Sequence, residues 1–186
     1  MHSQLRERIR LMRARLDNAA PVAEIRAESQ LFVTPAPVCD RLVMLAEISN
    51  RDHILEPSAG TGAILRAIRD TAPGAMCDAV EINSGLVRYL RENFNGVRVQ
   101  CGDFMEWLPV QYYSRVIMNP PFSHGQDIRH ILRAFSCCVR VACWSPSVST
   151  DHASRRSCYR FLTSARLPRG TFAYTDVPTM IIRLRA

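Results

Sequence analysis

The sequence predicts an α/β fold, in which a mostly parallel sheet of seven strands has helices on both faces. Five short apolar runs have the length and composition of strands: residues 53–57, 76–82, 97–101, 115–119 and 139–144. Helical stretches near residues 62–70, 84–93 and 126–136 separate most of these runs, and such alternation is typical of a parallel sheet. The tail TFAYTDVPTMIIRLR holds two further strand-like runs around a turn-like TDVP, which predicts a closing antiparallel hairpin.

The length and the apolar pattern predict one main domain with a short extension. A chain of 186 residues is large enough for one ordinary core, which we place in residues 31–186. Before it, apolar residues from Leu5 to Leu16 recur at helical spacing among arginines and predict a helical extension over residues 1–30. The charged N-terminus lacks the apolar segment of a secretion signal, and no run approaches the roughly 18 residues that span a bilayer. We therefore expect a cytoplasmic protein without membrane contact.

Cysteine and lysine usage excludes several kinds of chemistry. Seven cysteines, an odd number, fit reduced cytoplasmic thiols better than a disulfide framework. Five potential metal ligands crowd one region: His124, His130, Cys137, Cys138 and Cys143. Their spacings match no common zinc pattern, so we expect no metal site. All 24 basic residues are arginines, which excludes Schiff-base chemistry and a phosphate-binding lysine of the Walker type.

The positive charge is concentrated in the last third of the chain. Residues 1–118 carry 14 arginines and 14 acidic residues, whereas residues 119–186 carry 10 arginines against three aspartates. A one-sided basic surface favours a polyanionic partner such as nucleic acid, and a basic face that serves only solubility is the alternative. Within the Ser/Thr-rich loop at residues 145–156, Arg155 and Arg156 are candidates for binding phosphates.

The first predicted strand continues into EPSAGTGAIL, residues 56–65, which has the pattern of a nucleotide-binding turn. Gly60 and Gly62 permit a tight turn and a close approach of the backbone to a ligand. The helix that follows directs its first N–H groups toward the same place. Leu65 stands where the dinucleotide fingerprint has its third glycine, which disfavours a nicotinamide cofactor.

The ends of the next two predicted strands carry acidic residues that suit an adenosine ligand. Glu81 follows Gly62 by 19 residues and can accept hydrogen bonds from both ribose hydroxyls, while Ile82 can cover one face of the base. Asp103 can accept from an adenine amino group while Phe104 lies over the ring. Structural alternatives are that Asp103 caps a turn and that Phe104 fills the core. The recurrence of acidic residues at successive strand ends favours the ligand-binding roles over these structural alternatives.

The fourth predicted strand ends in MNPPFSHG, residues 118–125, where two prolines end the sheet ladder and hold a polar side chain at the strand end. The side-chain oxygen of Asn119 and the carbonyl oxygen of Pro120, kept rigid by Pro121, can accept from both N–H bonds of an exocyclic amine. The amine is then stabilised as it becomes tetrahedral and attacks a methyl sulfonium, while Phe122 stacks on the base. A base in a duplex must first be flipped out.

In these motifs the sequence resembles the class I S-adenosylmethionine-dependent methyltransferases, and among them the N6-adenine DNA methyltransferases with a [DNS]-P-P-[FYW] motif. The likeness runs from about residue 30 to the C-terminus and is densest over residues 32–122. It implies a Rossmann-like fold and S-adenosyl-L-methionine as the cofactor. The catalytic residues that it implies are Asn119, Pro120, Pro121 and Phe122. Together with the strand ends described above, it implies these cofactor-binding residues: Phe32, Thr34, Pro35, Glu56, Pro57, Ser58, Gly60, Gly62, Glu81, Ile82, Asp103, Phe104 and Asn119.

The leading prediction is methyl transfer from S-adenosylmethionine to adenine N6 in DNA. Only 64 residues follow Phe122, too few for a target-recognition region, which predicts low sequence specificity or a partner protein that supplies recognition. An adenine N6 or a guanine N2 of ribosomal RNA, or a protein glutamine amide, presents a similar planar nitrogen and is an alternative. A catalytically inactive, cofactor-binding regulatory subunit is a further alternative that the complete motifs disfavour. An NAD-dependent oxidoreductase is disfavoured by Leu65.

Overall fold

Strands and helices alternate along the residues that the structure, a computed structural model, describes: 33–121, 125–138, 140–145, 160–166 and 180–185. The strands are β1 (His53–Pro57), β2 (Met76–Glu81), β3 (Val97–Cys101), β4 (Arg115–Met118), β5 (Arg140–Ser145), β6 (Arg160–Arg166) and β7 (Met180–Arg185). The helices are α1 (Ala36–Ala46), α2 (Ala63–Thr71), α3 (Ser84–Asn93) and α4 (Gln126–Phe135). All of these elements belong to one unit, Val33–Ala186, and the predicted extension over residues 1–30 lies outside the described residues.

The seven strands form one sheet in the order β3-β2-β1-β4-β5-β7-β6. Strands β1 to β5 pair in parallel, and β7 lies antiparallel between β5 and β6. The mostly parallel, seven-stranded sheet predicted from the sequence is thereby confirmed. The chain builds outward from β1 to β3 and then returns to place β4 on the other side of β1. Such a reversal opens a crevice at the carboxyl ends of the strands, where ligands of open α/β sheets bind.

The antiparallel pair at the C-terminus differs from the prediction in one strand. The sequence pattern pairs MIIRLR with TFAYT at residues 171–175, but β7 pairs with Arg160–Arg166. Both edges of β7 are occupied, one by β5 and one by β6, and residues 171–175 lie outside the described residues. The antiparallel pairing of the last strand agrees with the prediction, whereas its partner differs because TDVP is a local turn signal, and a turn signal carries no information about which distant segment fills a sheet edge.

The sheet is covered on both faces, and the alternation of side chains along each strand assigns residues to two cores. On one face, Ile54, Ala79 and Ile117 belong to a buried cluster with residues of α1, α2 and α3. On the other face, Leu55 and Val116 are buried with residues of α4. Each large aliphatic side chain buried in this way contributes about 1.5–3 kcal/mol. Within the described part of the chain, no helix combines the length and the apolar character that crossing a membrane requires.

Candidate active site

The segment after β1 turns the chain sharply into α2 at the carboxyl edge of the sheet. Ser58, Gly60 and Gly62 have φ values of 61°, 58° and 72°. Glycine adopts this left-handed conformation freely, but a serine there stores about 1–3 kcal/mol of backbone strain. Strain of this kind clusters at ligand sites because the surrounding structure must hold the backbone in one position.

Gly62 is required by packing as well as by its backbone conformation. A Cβ atom at this position would lie 2.5 Å from Cζ of Phe94 and 2.9 Å from Cδ2 of Leu90. Phe94 is buried directly after α3, so the start of α2 can approach α3 only without a side chain. The structure therefore gives Gly62 a role in helix packing, beside the cofactor role that the family resemblance implies.

Glu81, at the end of β2, connects the glycine turn to the start of α3. Its Oε2 accepts a hydrogen bond from the Gly60 N–H at 2.7 Å, and its Oε1 accepts from the Asn83 N–H at 2.9 Å. Asn83 caps α3, because its Oδ1 accepts from the N–H groups of Gly85 at 2.9 Å and Leu86 at 3.1 Å. The Glu81 carboxylate thus holds two adjacent strand ends in a common arrangement.

A cavity of about 440 Å³ lies beside these strand ends, within the size range of small-ligand sites. Its lining includes five residues predicted for the cofactor and one of the predicted catalytic motif: Ser58, Glu81, Ile82, Asp103, Phe104 and Pro121. Ile82 is 69% exposed, although a large aliphatic side chain in a folded domain is ordinarily covered. The cavity therefore combines a carboxylate with an uncovered apolar surface, as an adenosine group requires.

Asp103 and Phe104 line the cavity, and they also have the structural roles that were considered as alternatives. Oδ1 of Asp103 accepts from the Met105 N–H at 2.8 Å, so the carboxylate stabilises the turn after β3. Phe104 is buried, and its ring centroid lies 6.2 Å from that of Trp107 and 5.7 Å from that of His130. Each of these residues can therefore have a structural role and also contact a ligand.

Six residues that line the cavity were not predicted for it from the sequence: Val80, Gly102, Met105, Gln126, Arg129 and His130. The last three lie in the first turns of α4, and their only signal in the sequence is that they follow NPPF closely. Nδ1 of His130 lies 2.9 Å from the carbonyl oxygen of Gln126 and donates to it. Burial lowers the pKa of His130, although this hydrogen bond opposes the effect, so a neutral ring with an acceptor at Nε2 is favoured.

Glu56 is a buried carboxyl group within β1. The Leu65 N–H donates to the carboxyl group, whereas Oε2 has no hydrogen-bond partner among the described residues. Burial, reinforced by the nearby Glu81, raises the pKa of Glu56 well above its usual value. A buried oxygen without a donor is rare in proteins and suits a ligand that brings a donor or a positive charge.

Asn119 directly follows β4, and its two amide atoms have different environments. Nδ2 donates to Oγ1 of Thr34 at 2.9 Å. Oδ1 is buried and has no hydrogen-bond partner within the described part of the chain. An acceptor left in this state costs about 1–3 kcal/mol. The strand end therefore holds one buried oxygen available to an N–H group of a ligand.

The positions of the other predicted site residues say less about a ligand. Pro35 immediately precedes α1, Pro57 ends β1, and Pro120 is buried after β4. Four predicted site residues lie outside the described residues, and their roles stay predictions: Phe32, Phe122, Arg155 and Arg156. Among the residues that are described, no cluster of three or more His, Cys, Asp or Glu side chains could hold a metal ion.

The sheet order, the glycine turn after β1 and the carboxylate that ends β2 define the Rossmann-like fold of the class I S-adenosylmethionine-dependent methyltransferases. A putative RNA methyltransferase from Pyrococcus horikoshii shares the fold with a TM-score of 0.67 and 23% identity, over 83% of this chain and 84% of that chain. An RNA methyltransferase from Salinibacter ruber in complex with S-adenosyl-L-homocysteine has a TM-score of 0.58 and 25% identity, over 81% of this chain and 91% of that one.

Two curated relatives share sequence with the chain. The ribosomal RNA small subunit methyltransferase A of Chlorobium phaeobacteroides is 33% identical over 98 residues, which are 50% of this chain and 37% of that protein. The probable ribosomal RNA small subunit methyltransferase A of Methanosarcina mazei is 29% identical over 174 residues, 83% of this chain and 62% of the relative. The chain therefore spans about one to two thirds of these relatives. No protein-family model matches it.

These relatives change one expectation from the sequence. The predicted preference for DNA has no support from them, because both are named for ribosomal RNA, which the sequence analysis held as an alternative. The motif at residues 119–122 does not distinguish the two, because the amino group on adenine is the same in DNA and RNA. The likeness to methyltransferases itself agrees with the prediction.

Proposed function

We propose that this protein is an S-adenosylmethionine-dependent methyltransferase that methylates adenine N6 in RNA, with ribosomal RNA as the substrate class. The observation that carries the proposal is the Asn119 side chain, whose Oδ1 is buried and unpartnered directly after β4. The relatives named for ribosomal RNA favour RNA over DNA as the substrate. In RNA, single-stranded loops and bulges offer adenines that need not be flipped out of a duplex.

The cavity residues fit the proposed cofactor. Glu81 would bind the ribose hydroxyls, Ile82 and Phe104 would contact the adenine ring, and Asp103 would accept from its amino group. The unpartnered oxygen of Glu56 would take the positively charged amino group at the other end of the molecule. S-adenosylmethionine supplies an electrophilic methyl group on a sulfonium sulfur.

In the proposed reaction, Asn119 and Pro120 act on the substrate amine. The adenine amino group is a poor nucleophile because its lone pair is delocalised into the ring. Oδ1 of Asn119 and the carbonyl oxygen of Pro120 would accept from its two N–H bonds and stabilise the nitrogen as it becomes tetrahedral. The nitrogen would form its bond to the methyl carbon as the bond from that carbon to sulfur breaks. A strong base is not needed, because the proton becomes acidic only after the methyl group is attached and can then pass to water. The rigid Pro120-Pro121 backbone would hold both acceptors in position.

The proposal is tested by offering the purified chain labelled S-adenosylmethionine with four substrates of matched adenine content. These are an unmodified small-subunit ribosomal RNA transcript, a tRNA pool, single-stranded DNA and duplex DNA, with a protein extract as a fifth sample. Mass spectrometry of the nucleosides is expected to find N6-methyladenosine or N6,N6-dimethyladenosine in the ribosomal RNA. Label in DNA alone would overturn the RNA assignment, and label in protein alone would overturn the nucleic-acid assignment.

Asn119→Ala is the matched control for the catalytic role. Loss of one preorganised acceptor is expected to lower the rate of methyl transfer by about 10²–10³-fold, because the stabilisation of the tetrahedral nitrogen is lost. Cofactor affinity, measured by calorimetry, is expected to remain, since the Asn119 oxygen is assigned to the substrate. Full activity of this variant would contradict the mechanism.

A further inference from the structure

Thr34 and Asn119 lie 85 positions apart in the sequence, yet their side chains form a hydrogen bond. Thr34 directly precedes the cap of α1 and is buried. Its Oγ1 accepts from Nδ2 of Asn119 at 2.9 Å. The contact joins the segment before α1 to the carboxyl end of β4, so the amide plane of Asn119 is set by a residue from another part of the fold.

The hydroxyl group of Thr34 has no role in starting α1. The helix cap is Pro35, which makes no side-chain capping bond, and the N–H groups of Val38 and Cys39 donate to the Pro35 carbonyl oxygen. Threonine at this point in a sequence is ordinarily a helix cap. Here the hydroxyl group serves Asn119 instead.

The backbone of Thr34 is itself held in place. Sγ of Cys39 lies 3.7 Å from the Thr34 carbonyl oxygen and donates to it weakly. Burial raises the pKa of the Cys39 thiol to about 12, so the group keeps its proton at neutral pH. Thr34 is thus anchored to the first turn of α1, whose apolar face lies in the core.

The orientation of the Asn119 amide decides whether it can serve the reaction. In the observed orientation Thr34 accepts from one N–H bond, and the second N–H bond and the buried Oδ1 have no partner among the described residues. In the flipped orientation Thr34 would donate to Oδ1, and two N–H donors would be left without partners. A buried donor without a partner is rarer than a free acceptor, so the contact with Thr34 favours the orientation with one free donor and one free oxygen over the orientation with two free donors.

We infer that Thr34 is a positioning residue for methyl transfer, which orients Asn119 so that Oδ1 faces the substrate amine. The inference rests on the proposed function and adds a residue to its mechanism. It differs from the role that the family resemblance implies for Thr34, which is a contact to the cofactor. A cofactor contact would alter cofactor affinity, whereas a positioning contact alters the rate of the chemical step.

The test compares Thr34→Val, which keeps the shape and removes the hydroxyl group, with Thr34→Ser, which retains it. With saturating ribosomal RNA, Thr34→Val is expected to lower kcat by about 10–100-fold because the acceptor is misplaced. Its Kd for S-adenosylmethionine is expected to stay within about two-fold of the native value. Thr34→Ser is expected to restore most of kcat. A native kcat in Thr34→Val, or a loss confined to cofactor affinity, would overturn the inference.

A double-mutant cycle removes effects that are merely structural. If Thr34 acts through Asn119, Thr34→Val should lower the residual rate of Asn119→Ala by less than about two-fold, because the residue it orients is gone. If the rate losses of the two single variants multiply in the double variant, the positioning role is overturned. Thr34→Ala replaces Thr34→Val in the same cycle if the latter does not fold.

A spectroscopic readout separates this inference from the proposed function. In ¹⁵N-labelled protein, the side-chain NH₂ resonances of Asn119, assigned by their absence in Asn119→Ala, should shift in Thr34→Val and return in Thr34→Ser. Unchanged resonances in Thr34→Val would overturn the inference without reference to any substrate. Absence of methylation by the native protein, with this shift present, would count against the proposed function alone.

Discussion

Near the amino-terminal end of the sheet, buried carboxylates have several hydrogen-bond donors, whereas near the carboxyl end two side chains each keep one buried oxygen without a partner among the described residues. Asp78 accepts from the Tyr113 hydroxyl at 2.6 Å and from the Arg98 guanidinium. Asp52 accepts from the Ser114 hydroxyl at 2.7 Å and lies 3.3 Å from the Arg115 guanidinium. Donors surround both carboxylates in the folded chain.

The opposite end of the sheet shows the reverse pattern in Glu56 and Asn119, each of which has an unpartnered oxygen. The pKa values follow the same division. Burial alone would raise the pKa of Asp78, but hydrogen bonds from Arg98 and Tyr113 hold it below its usual value. Burial without such donors raises the pKa of Glu56. The difference indicates that one end of the sheet is arranged for stability and the other for a ligand.

The largest expected effect on stability is that of Asp78→Ala. The substitution leaves the fully buried Tyr113 hydroxyl without its acceptor and removes the partner of Arg98. We expect a loss of about 3 kcal/mol in the free energy of unfolding, because a buried donor is left unsatisfied. Urea denaturation measures this loss. Asp78→Asn, which keeps an acceptor of similar size, should lose less; equal stability of Asp78→Ala and the native chain would contradict the assignment.

Tyr113→Phe tests a single bond of the same network. It removes the hydroxyl group that donates to Asp78 and keeps the ring in the core. We expect a loss of about 1.5 kcal/mol, the usual value for a hydrogen bond to a charged group. Thermal unfolding should show a decrease in Tm of about 3–6 °C for a domain of this size. The methylation rate per folded molecule should not change, because neither Tyr113 nor Asp78 lines the cavity.

Glu56→Gln is expected to act in the opposite direction and to depend on pH. Because the pKa of Glu56 is raised in the fold, the folded chain keeps this proton at pH values where the unfolded chain has lost it. The free energy of unfolding of the native protein therefore falls as pH rises from the usual carboxyl pKa through the raised one. Glutamine does not titrate, so the variant should gain on the order of 1 kcal/mol over the native chain at pH 8.

Unfolding of both proteins at pH 5 and pH 8 checks this prediction. The gain of Glu56→Gln over the native protein in the free energy of unfolding should be smaller at pH 5 than at pH 8. At pH 5 the native carboxyl group retains more of its proton. An advantage that grows as pH falls would show that the carboxylate is stabilised by the fold, against the assignment. The same variant should bind S-adenosylmethionine more weakly, because a neutral amide cannot pair with the ligand's positive charge.

The smallest expected effect on stability belongs to Asn119→Ala. The substitution loses the hydrogen bond to Thr34 but also removes a buried, unpartnered acceptor, and the two contributions oppose each other. We expect the free energy of unfolding to change by less than about 1 kcal/mol, although the rate of methyl transfer falls by about 10²–10³-fold. A loss above that of Tyr113→Phe would indicate that Asn119 is mainly structural and would remove the contrast between the two ends of the sheet.

Much of the fold and part of the site could be predicted from local patterns. The bounds of the first five strands and of α2, α3 and α4 differ from the prediction by at most one residue at an end. Glu81 and Asp103 were predicted as strand-end carboxylates, and both line the cavity. These features are encoded within a few neighbouring residues, because a turn or a strand end is specified by its own side chains.

Contacts between distant segments could not be predicted. The Tyr113 hydroxyl reaches Asp78 across 35 positions, and Thr34 reaches Asn119 across 85. The partner of β7 was predicted wrongly for the same reason. Strand register and helix placement bring such residues together, and neither is specified by the residues on one side of the contact.

The sequence by itself determined the order of strands and helices, the glycine turn after the first strand and the polar residues at successive strand ends, because each depends on local backbone preferences and on apolar periodicity. Only the tertiary structure decided which oxygens are satisfied and which remain open. That outcome depends on the donors that packing brings near Asp78 and keeps away from Oε2 of Glu56 and from Oδ1 of Asn119. Since burial removes water as an alternative donor, the packing also decides which of these groups a ligand can use.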